Sequence, residues 1–415
     1  MSKRVVITGL GAITPIGIGK DEFWQGLMEG RNGIGKITRF DASEYKSQIA
    51  GEVKDFEPTA YGIDKKEAHH MDRYSQFAVA AAGLAFKDAG IDLEKEDHDR
   101  IGTFVGAGIG GIETMNGQYK KLFDKGPGRI SPFFIPMMIA NMAAGQVSIN
   151  YGLHGPSACV VTACATGSDC IGEAMRVLQR GEADVMIAGG TEASISEAAV
   201  AGFSAMKALC SDHNDDPEHA SRPFDANRSG FVMGEGAGLV VLETLEHAQA
   251  RGAHIYAELA GYASNADAYH ITSPAPHGTY QAKCMAAAIA DAGLQPADVD
   301  YVNAHGTSTH MNDEGETEAI KAVWGEHAKD VSVSSIKSMT GHMLGAGGGV
   351  ECIATALAIE NNMLPPTINY ETPDEGLDLD YVPNKAKAKT VRAAISNSFG
   401  FGGHNACLVL KKFAK

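Results

Sequence analysis

The sequence predicts an α/β protein built from two similar halves. Two observations carry that expectation. Short β-branched apolar runs alternate along the chain with helical patterns and glycine-containing loops, as strand–helix units do. The order of these units then repeats. LAFKDAGIDLEKEDHDRIGTFVGAGIGG is echoed by AAIADAGLQPADVDYVNAHGTST, and Gly90 and Gly293 each close a helix that ends in DAG. TACATGSDCIGEAM is echoed by TGHMLGAGGGVECIA, and ADVMIAGGTEA by RAAISNSFGFGG. The simplest account is one unit over residues 1–250 and a second over residues 251–415.

Composition narrows the function. A chain of 415 residues with 44% hydrophobic content and 49 glycines buries a large core and turns tightly. A formal charge of −16 offers no cationic surplus for phosphates, so nucleic acid is not an expected partner. Seven cysteines without a CxxC spacing read as reduced thiols in the cytoplasm. No uncharged apolar run reaches the length of about 18 residues that a membrane helix needs, so no membrane insertion is expected.

In chain order, RVVITGLG reads as a first core strand, because Pro15 and the surrounding glycines do not fit a signal peptide. A helix follows from about Lys20, stopped by Gly30. Asp64, Lys65, Lys66, His69, His70 and Arg73 form a mostly basic helix face, either a solvated surface or a dock for an acidic partner. Lys120, Lys121, Lys125 and Arg129 allow the same two readings. Ser75 to Asp88 is an alanine-rich helix, and RIGTFVGAGIGG is a strand ending in a glycine loop. Gly106, Gly108 and Gly111 satisfy GxGxxG, but no clean amphipathic helix and second acidic-ended strand follow, so a tight turn is expected and no dinucleotide. SPFFIPMMIANMAAGQVSIN, broken by Pro132 and Pro136, suits a buried interface or a pocket wall. GLVVLE closes the first half as a core strand.

Chemistry gathers where strands end. In GPSACVVTACATGSDCIGEAMRVLQRG, Ile171, Ala174, Met175 and Leu178 mark one buried helix face and Gly181 its stop. Cys164 thus stands at a strand-to-helix junction, beside the positive end of the helix and its free N–H groups. That position favours a thiolate and an oxyanion site. On these residues alone, a small buried hydrophobic cysteine stays the commoner reading. The second half brings NAHGTSTHMNDEGE with His305, Thr307 and Thr309, SSIKSMTGHMLGAGGGVE with Lys337, His342 and Glu351, and SNSFGFGG with Asn397, Phe399 and Phe401. His305, His310 and His342 are spaced unlike any known zinc motif, so no metal is expected.

TACATGS, NAHGTST, KSMTGH and NSFGFGG, in this order, resemble the β-ketoacyl-acyl-carrier-protein synthases, closest to the elongating, synthase II type, and the likeness covers the whole chain. The resemblance implies a duplicated thiolase-like fold, a five-layer αβαβα arrangement with two mixed sheets. It implies that Cys164 carries the growing acyl chain as a thioester taken from acyl-carrier protein. His305 and His342 stabilise the enolate left when malonyl-carrier loses CO₂, and Lys337 and Glu351 orient and tune the pair. The N–H groups of Cys164 and Phe401 form the oxyanion hole. Thr307 and Thr309 match residues that bind pantetheine, Phe401 a gating aromatic, and Ile109 and Phe203 the acyl-pocket lining. Phe133 matches the segment that meets a second subunit, so a homodimer is implied. Lys65, Lys66 and Lys207 match carrier-docking positions, with His69 and His70 standing where stronger bases are common. No cofactor is implied. A thiolase would carry a second reactive cysteine in a CxG turn where FGFGGHN stands. A non-catalytic partner subunit would lack Cys164, and an initiating synthase would not have KSMTGH.

Overall fold

In the computed structural model, which describes residues 3–414, the apolar runs pair into strands β1 (Val5–Thr14), β2 (Ile101–Gly106), β3 (Ser157–Ala158), β4 (Val185–Glu192), β5 (Gly236–Thr244), β6 (Ala257–Ala266), β7 (Tyr301–Asn303), β8 (Ser332–Ser334), β9 (Ala393–Gly400) and β10 (His404–Lys411). Their order is β8-β7-β9-β10-β6-β1-β5-β4-β2-β3. In the first half β3, β2 and β4 run parallel, then β5 and β1 join antiparallel. The second half repeats this: β8, β7 and β9 are parallel, then β10 and β6 antiparallel. Each half therefore contributes one mixed sheet. The two are hydrogen-bonded to each other where Val5–Ile7 of β1 meets Ala257–Leu259 of β6.

Helices complete the layers. α1 (Arg73–Ala89) and α2 (Met142–Tyr151) cover the outer face of the first sheet, and α4 (Thr279–Asp291) with α5 (His310–Trp324) beside it covers the outer side of the second. Between the sheets lie α3 (Thr166–Arg180) and α6 (Gly347–Asn361), each touching strands of both halves. That is the expected αβαβα sandwich. The central helices fit because their sequences are small. A Cβ on Gly349 would stand 2.0 Å from the Gly238 carbonyl oxygen of β5, and one on Gly172 would stand 2.2 Å from the Tyr262 ring. Glycine there is a matter of space. Ile171, Ala174, Met175 and Leu178 are all buried. Gly90 and Gly293, the two glycines of the DAG echo, both take left-handed conformations, with φ of 65° and 69°.

Three local expectations are corrected. The basic run 64–73 is not one helix. Asp64 caps a single turn, Lys65–Ala68, and Asp72 caps α1, so the chain restarts between them. Arg73 leaves the basic face and turns inward to pair with the buried Glu235 at 2.9 Å. A helix, Ile112–Lys125, does follow the GxGxxG loop. The loop N–H groups are nevertheless occupied: Gly108, Ile109 and Gly110 donate to the Glu192 carboxylate at 2.8, 3.3 and 3.3 Å. The group that fills this nest is the protein's own Glu192 side chain. No helix among the described residues is long and apolar enough to cross a membrane.

Candidate active site

Both central helices are entered through the same device. A turn of 3₁₀ helix, Ala163–Ala165 before α3 and Leu344–Ala346 before α6, begins on a left-handed residue, with φ of 52° at Ala163 and 46° at Leu344. Such a conformation costs a non-glycine residue about 1–2 kcal/mol. It turns Cys164 out of the helix and into a cavity of about 350 Å³ that His305, His342, Phe203, Thr307, Thr309 and Phe401 also line. The turn after β9 closes on it. A Cβ on Gly400 would stand 2.5 Å from the Thr162 oxygen, and the turn brings the Phe401 backbone to the side of Cys164, where it favours the sulfur anion.

The thiol differs from the expected thiolate. Burial pushes Cys164 up to about 12, against the pull of the Lys337 charge and the Phe401 N–H. Enclosure of the sulfur outweighs the groups that favour its anion.

The two histidines sit on different walls. His305 follows β7, and the N–H groups of His305 and Gly306 each donate to one oxygen of Glu316, both at 2.8 Å. Asn397 Nδ2 donates to the same carboxylate at 3.1 Å. His342 is fixed by its own backbone. Its N–H donates to the Val232 carbonyl at 2.7 Å, and its carbonyl accepts from Gly234 at 2.8 Å. The rings stand edge to face with centroids 5.2 Å apart, and Phe231 and Phe399 pack edge-on against His342 and His305. Burial holds both imidazoles well below their ordinary range, and the positive charge of Lys337 adds to it. They are neutral at pH 7, which leaves each one N–H to donate and no charge of its own.

Lys337 and Glu351 form a buried ion pair behind the histidines. Glu351, on a helix that sequence alone most often turns to solvent, is 1% exposed, and its burial pushes the carboxyl up to about 7 despite Lys337. Thr307 and Thr309 present hydroxyls 2.8 Å apart, on either side of left-handed Ser308. Phe401 lies 6.3 Å from Phe203 across the cavity. Lys207 stands on the rim, and Lys65 and Lys66 are exposed on their single helical turn. Two expected pocket residues lie elsewhere. Ile109 sits on the glycine loop held by Glu192, and Phe133 stacks on His70 with centroids 3.9 Å apart, both outside this cavity.

Sequence reasoning missed Glu192 and Glu316. Both are fully buried carboxylates whose oxygens gather backbone N–H groups from the loops that carry site residues. Gly345, in the second entry turn, also donates to Glu192 at 3.1 Å, which ties the 108–110 glycine loop to that turn. The available signal was an acidic residue at the end of an otherwise apolar strand, as in ADVMIAGGTEA.

A cysteine thiol and two neutral imidazoles lining one cavity, on a duplicated αβαβα frame, suit thiol-based acyl transfer. Residues 2–248 match the family model "Beta-ketoacyl synthase, N-terminal domain" and residues 256–371 the model "Beta-ketoacyl synthase, C-terminal domain". The chain belongs to the β-ketoacyl synthase family. It is 57% identical over 411 residues to 3-oxoacyl-acyl-carrier-protein synthase 2 of Synechocystis sp., covering 99% of this chain and 98% of that protein. It is 56% identical over 412 residues to the synthase 2 of Staphylococcus aureus, covering 99% of each. Among solved structures, it is similar to a type II polyketide ketosynthase in complex with its acyl-carrier protein, with a TM-score of 0.91 and 37% identity over the whole of both chains.

Proposed function

We propose that this chain is an elongating 3-oxoacyl-acyl-carrier-protein synthase, which joins an acyl thioester to malonyl-carrier with loss of CO₂ and lengthens a fatty acyl chain by two carbons. The observation that carries the reading is the meeting of Cys164, His305 and His342 in one cavity, with Phe401 beside them.

The first step forms the bond from Cys164 Sγ to the acyl carbon and breaks the carrier's C–S bond. The thiol proton leaves with the carrier thiolate. Sulfur suits this step because it is a strong nucleophile and a fair leaving group. In the second step the C–C bond to the malonyl carboxylate breaks and CO₂ departs. Its electron pair passes onto the thioester oxygen. Neutral imidazole N–H groups of His305 and His342 donate to that oxygen as its charge grows, in a site without bulk water. No external base and no cofactor are needed, because departing CO₂ supplies the carbanion. The carbanion attacks the acyl carbonyl on Cys164, the N–H groups of Cys164 and Phe401 hold the oxyanion, and the C–S bond breaks to release product.

Around this chemistry, residues 1–250 supply the nucleophile and residues 251–415 the histidine pair. Thr307 and Thr309 bind the pantetheine arm, and Phe203 and Phe401 face the acyl chain. Lys337 and Glu351 position and tune His305 and His342. The chain's own charge is −16, so an acidic carrier is repelled except where local cations face it, and Lys65, Lys66 and Lys207 supply them. The protein works in the cytoplasm as a homodimer, and Ile109 and Phe133 complete the acyl channel at the subunit boundary.

The test combines malonyl-carrier decarboxylation, acyl-carrier condensation and intact mass for the native protein and Cys164→Ala. An acyl adduct on Cys164, with condensation lost in the variant while decarboxylation persists, is expected. Native protein that neither acylates nor condenses with carriers of any chain length would overturn the reading.

A further inference from the structure

At the rim of the catalytic cavity, the turn from Cys210 to His213 and the loop residue Ser229 bring four side chains to one point. Asp212 Oδ1 receives three of them: Ser229 Oγ at 2.6 Å, His213 Nδ1 at 2.9 Å and Cys210 Sγ at 3.3 Å. Cys210 Sγ is also 3.8 Å from His213 Nδ1 and 3.4 Å from Ser229 Oγ. Cys210 is buried and Asp212 exposed, and His213 lies between, so an ion reaches the cluster from one side only. The catalytic mechanism uses none of these groups, and none of His305, His310 and His342 belongs to them.

We propose that Cys210, Asp212 and His213 form a binding site for a borderline divalent cation, Zn²⁺ in the first instance. The argument is geometric. A tetrahedral Zn²⁺ with Zn–S near 2.3 Å and Zn–N or Zn–O near 2.0–2.1 Å sets its donor atoms about 3.3–3.6 Å apart. The sulfur, nitrogen and oxygen here stand 3.3, 3.8 and 2.9 Å from one another. Shifts of a few tenths of an ångström complete three corners, and Ser229 Oγ or water takes the fourth. The donor types select the ion, since thiolate with imidazole favours Zn²⁺ over Mg²⁺ or Ca²⁺. Three hydrogens converging on a single carboxylate oxygen mark a place where one cation replaces protons. On binding, the Cys210 proton leaves to solvent, the Cys210 S–metal bond forms, and the His213 proton resides on Nε2 so that Nδ1 donates its lone pair.

The other acidic cluster with a histidine, His310, Glu314 and Asp374, does not compete. Arg228 already pairs with Glu314 at 3.2 Å and with Asp374 at 2.6 Å. The Cys210 cluster has no cation of its own. It lies at the rim of the catalytic cavity, since Ser229, Gly230 and Phe231 line that cavity and the Cys210 N–H donates to the Phe231 carbonyl at 2.9 Å.

The experiment titrates Co²⁺ into the reduced, chelator-stripped full-length protein and follows absorption. Expected is saturation at about one equivalent, with a thiolate-to-cobalt charge-transfer band and the intense visible bands of four-coordinate cobalt. Co²⁺ binding should release about one proton, and Zn²⁺ should then erase both bands stoichiometrically with no further release. Cys164→Ala should keep the signal, which separates this site from the catalytic thiol. Cys210→Ser should lose the charge-transfer band, and His213→Gln, on the exposed side of the turn, should weaken binding at least tenfold. A native protein without the bands, a signal that survives in Cys210→Ser, or one that disappears in Cys164→Ala overturns the proposal. Should Cys210→Ser fail to fold, His213→Gln decides alone, and unchanged affinity in that variant overturns it.

Discussion

Glu316 accepts the N–H groups of His305 and Gly306, so it fixes the loop that carries a catalytic histidine without touching substrate. Glu316→Ala takes the acceptor from three buried donors, the N–H groups of His305 and Gly306 and the Asn397 amide, and an unsatisfied buried donor costs about 1–3 kcal/mol. Unfolding in urea should show a loss of about 2–5 kcal/mol, with malonyl decarboxylation falling in parallel, while Glu316→Gln retains an acceptor and loses less. A stability loss under 1 kcal/mol would show that the loop is held by something else. The histidines themselves make a pH prediction. Burial, reinforced by Lys337, lowers both, so they stay neutral as pH falls from 8 through 6.5. Decarboxylation should therefore show no imidazole limb in that range, and a midpoint near 6.5 that vanishes in His305→Ala would contradict it. Cys164, His305, Lys337 and His342 were legible because each sits in a short run of small residues with its own local signature. Glu192 and Glu316 were not, because a carboxylate that serves backbone N–H groups is defined by loops 84 and 11 residues away in the chain. Arg73 was misplaced for the same kind of reason: its partner, Glu235, lies 162 residues further on.

At the level of elements, α6 offers two glycines with opposite expectations. A Cβ on Gly349 would meet the Gly238 carbonyl oxygen at 2.0 Å, while one on Gly347 meets nothing within 4 Å. Gly349→Ala has to push the helix off β5, and an overpacked core costs about 1–3 kcal/mol or more. Gly347→Ala should be neutral or stabilise by up to about 1 kcal/mol, because alanine restricts the unfolded chain and suits a helix. Differential scanning calorimetry of the pair checks the contrast, and equal melting temperatures would refute it. Strand β5 carries a second prediction. Burial would raise Glu243, but hydrogen bonds from Arg251, His247 and Thr8 prevail and hold it at about 2, well below the ordinary glutamate value. Its contribution of about 3 kcal/mol is present above pH 4.5 and is lost as pH falls from there toward 2. Glu243→Gln should flatten the acid limb of stability in that window. Strand positions were readable from β-branched runs, and the DAG stops from glycine. The helix Ile112–Lys125 was not: Ile112, Met115, Tyr119 and Leu122 recur at helical spacing, but only Gln118 in it is buried, so burial does not mark that face.

For the molecule as a whole, the repeat was visible in sequence, but the difference between the two ends of the sheet was not. At one end, β8 is covered: the Val333 N–H donates to the Asp380 carbonyl at 2.7 Å, and all three strand residues are buried. At the other end Ser157 and Ala158 of β3 are exposed, and Ile135, Ile139 and Ile149 nearby in the chain are 55, 36 and 71% exposed. An open strand edge beside exposed apolar side chains is unstable against association, and a second copy offers the same surface by twofold symmetry. Sequence placed the segment 131–150 at a buried interface or pocket wall, and a single chain buries Ala143, Ala144 and Val147 of it but leaves Phe133, Ile135, Ile139 and Ile149 exposed. Light scattering should accordingly give twice the 43.6 kDa of one chain at micromolar concentration. Ile149→Asp places a charge in that contact and should shift the mass toward one chain. Since Phe133 lies in the same segment, the variant should also lose condensation with long acyl chains more than malonyl decarboxylation, whose groups all come from one subunit. A native protein that scatters as a single chain while condensing normally would remove the second subunit from the acyl channel and leave the exposed face without its expected cover.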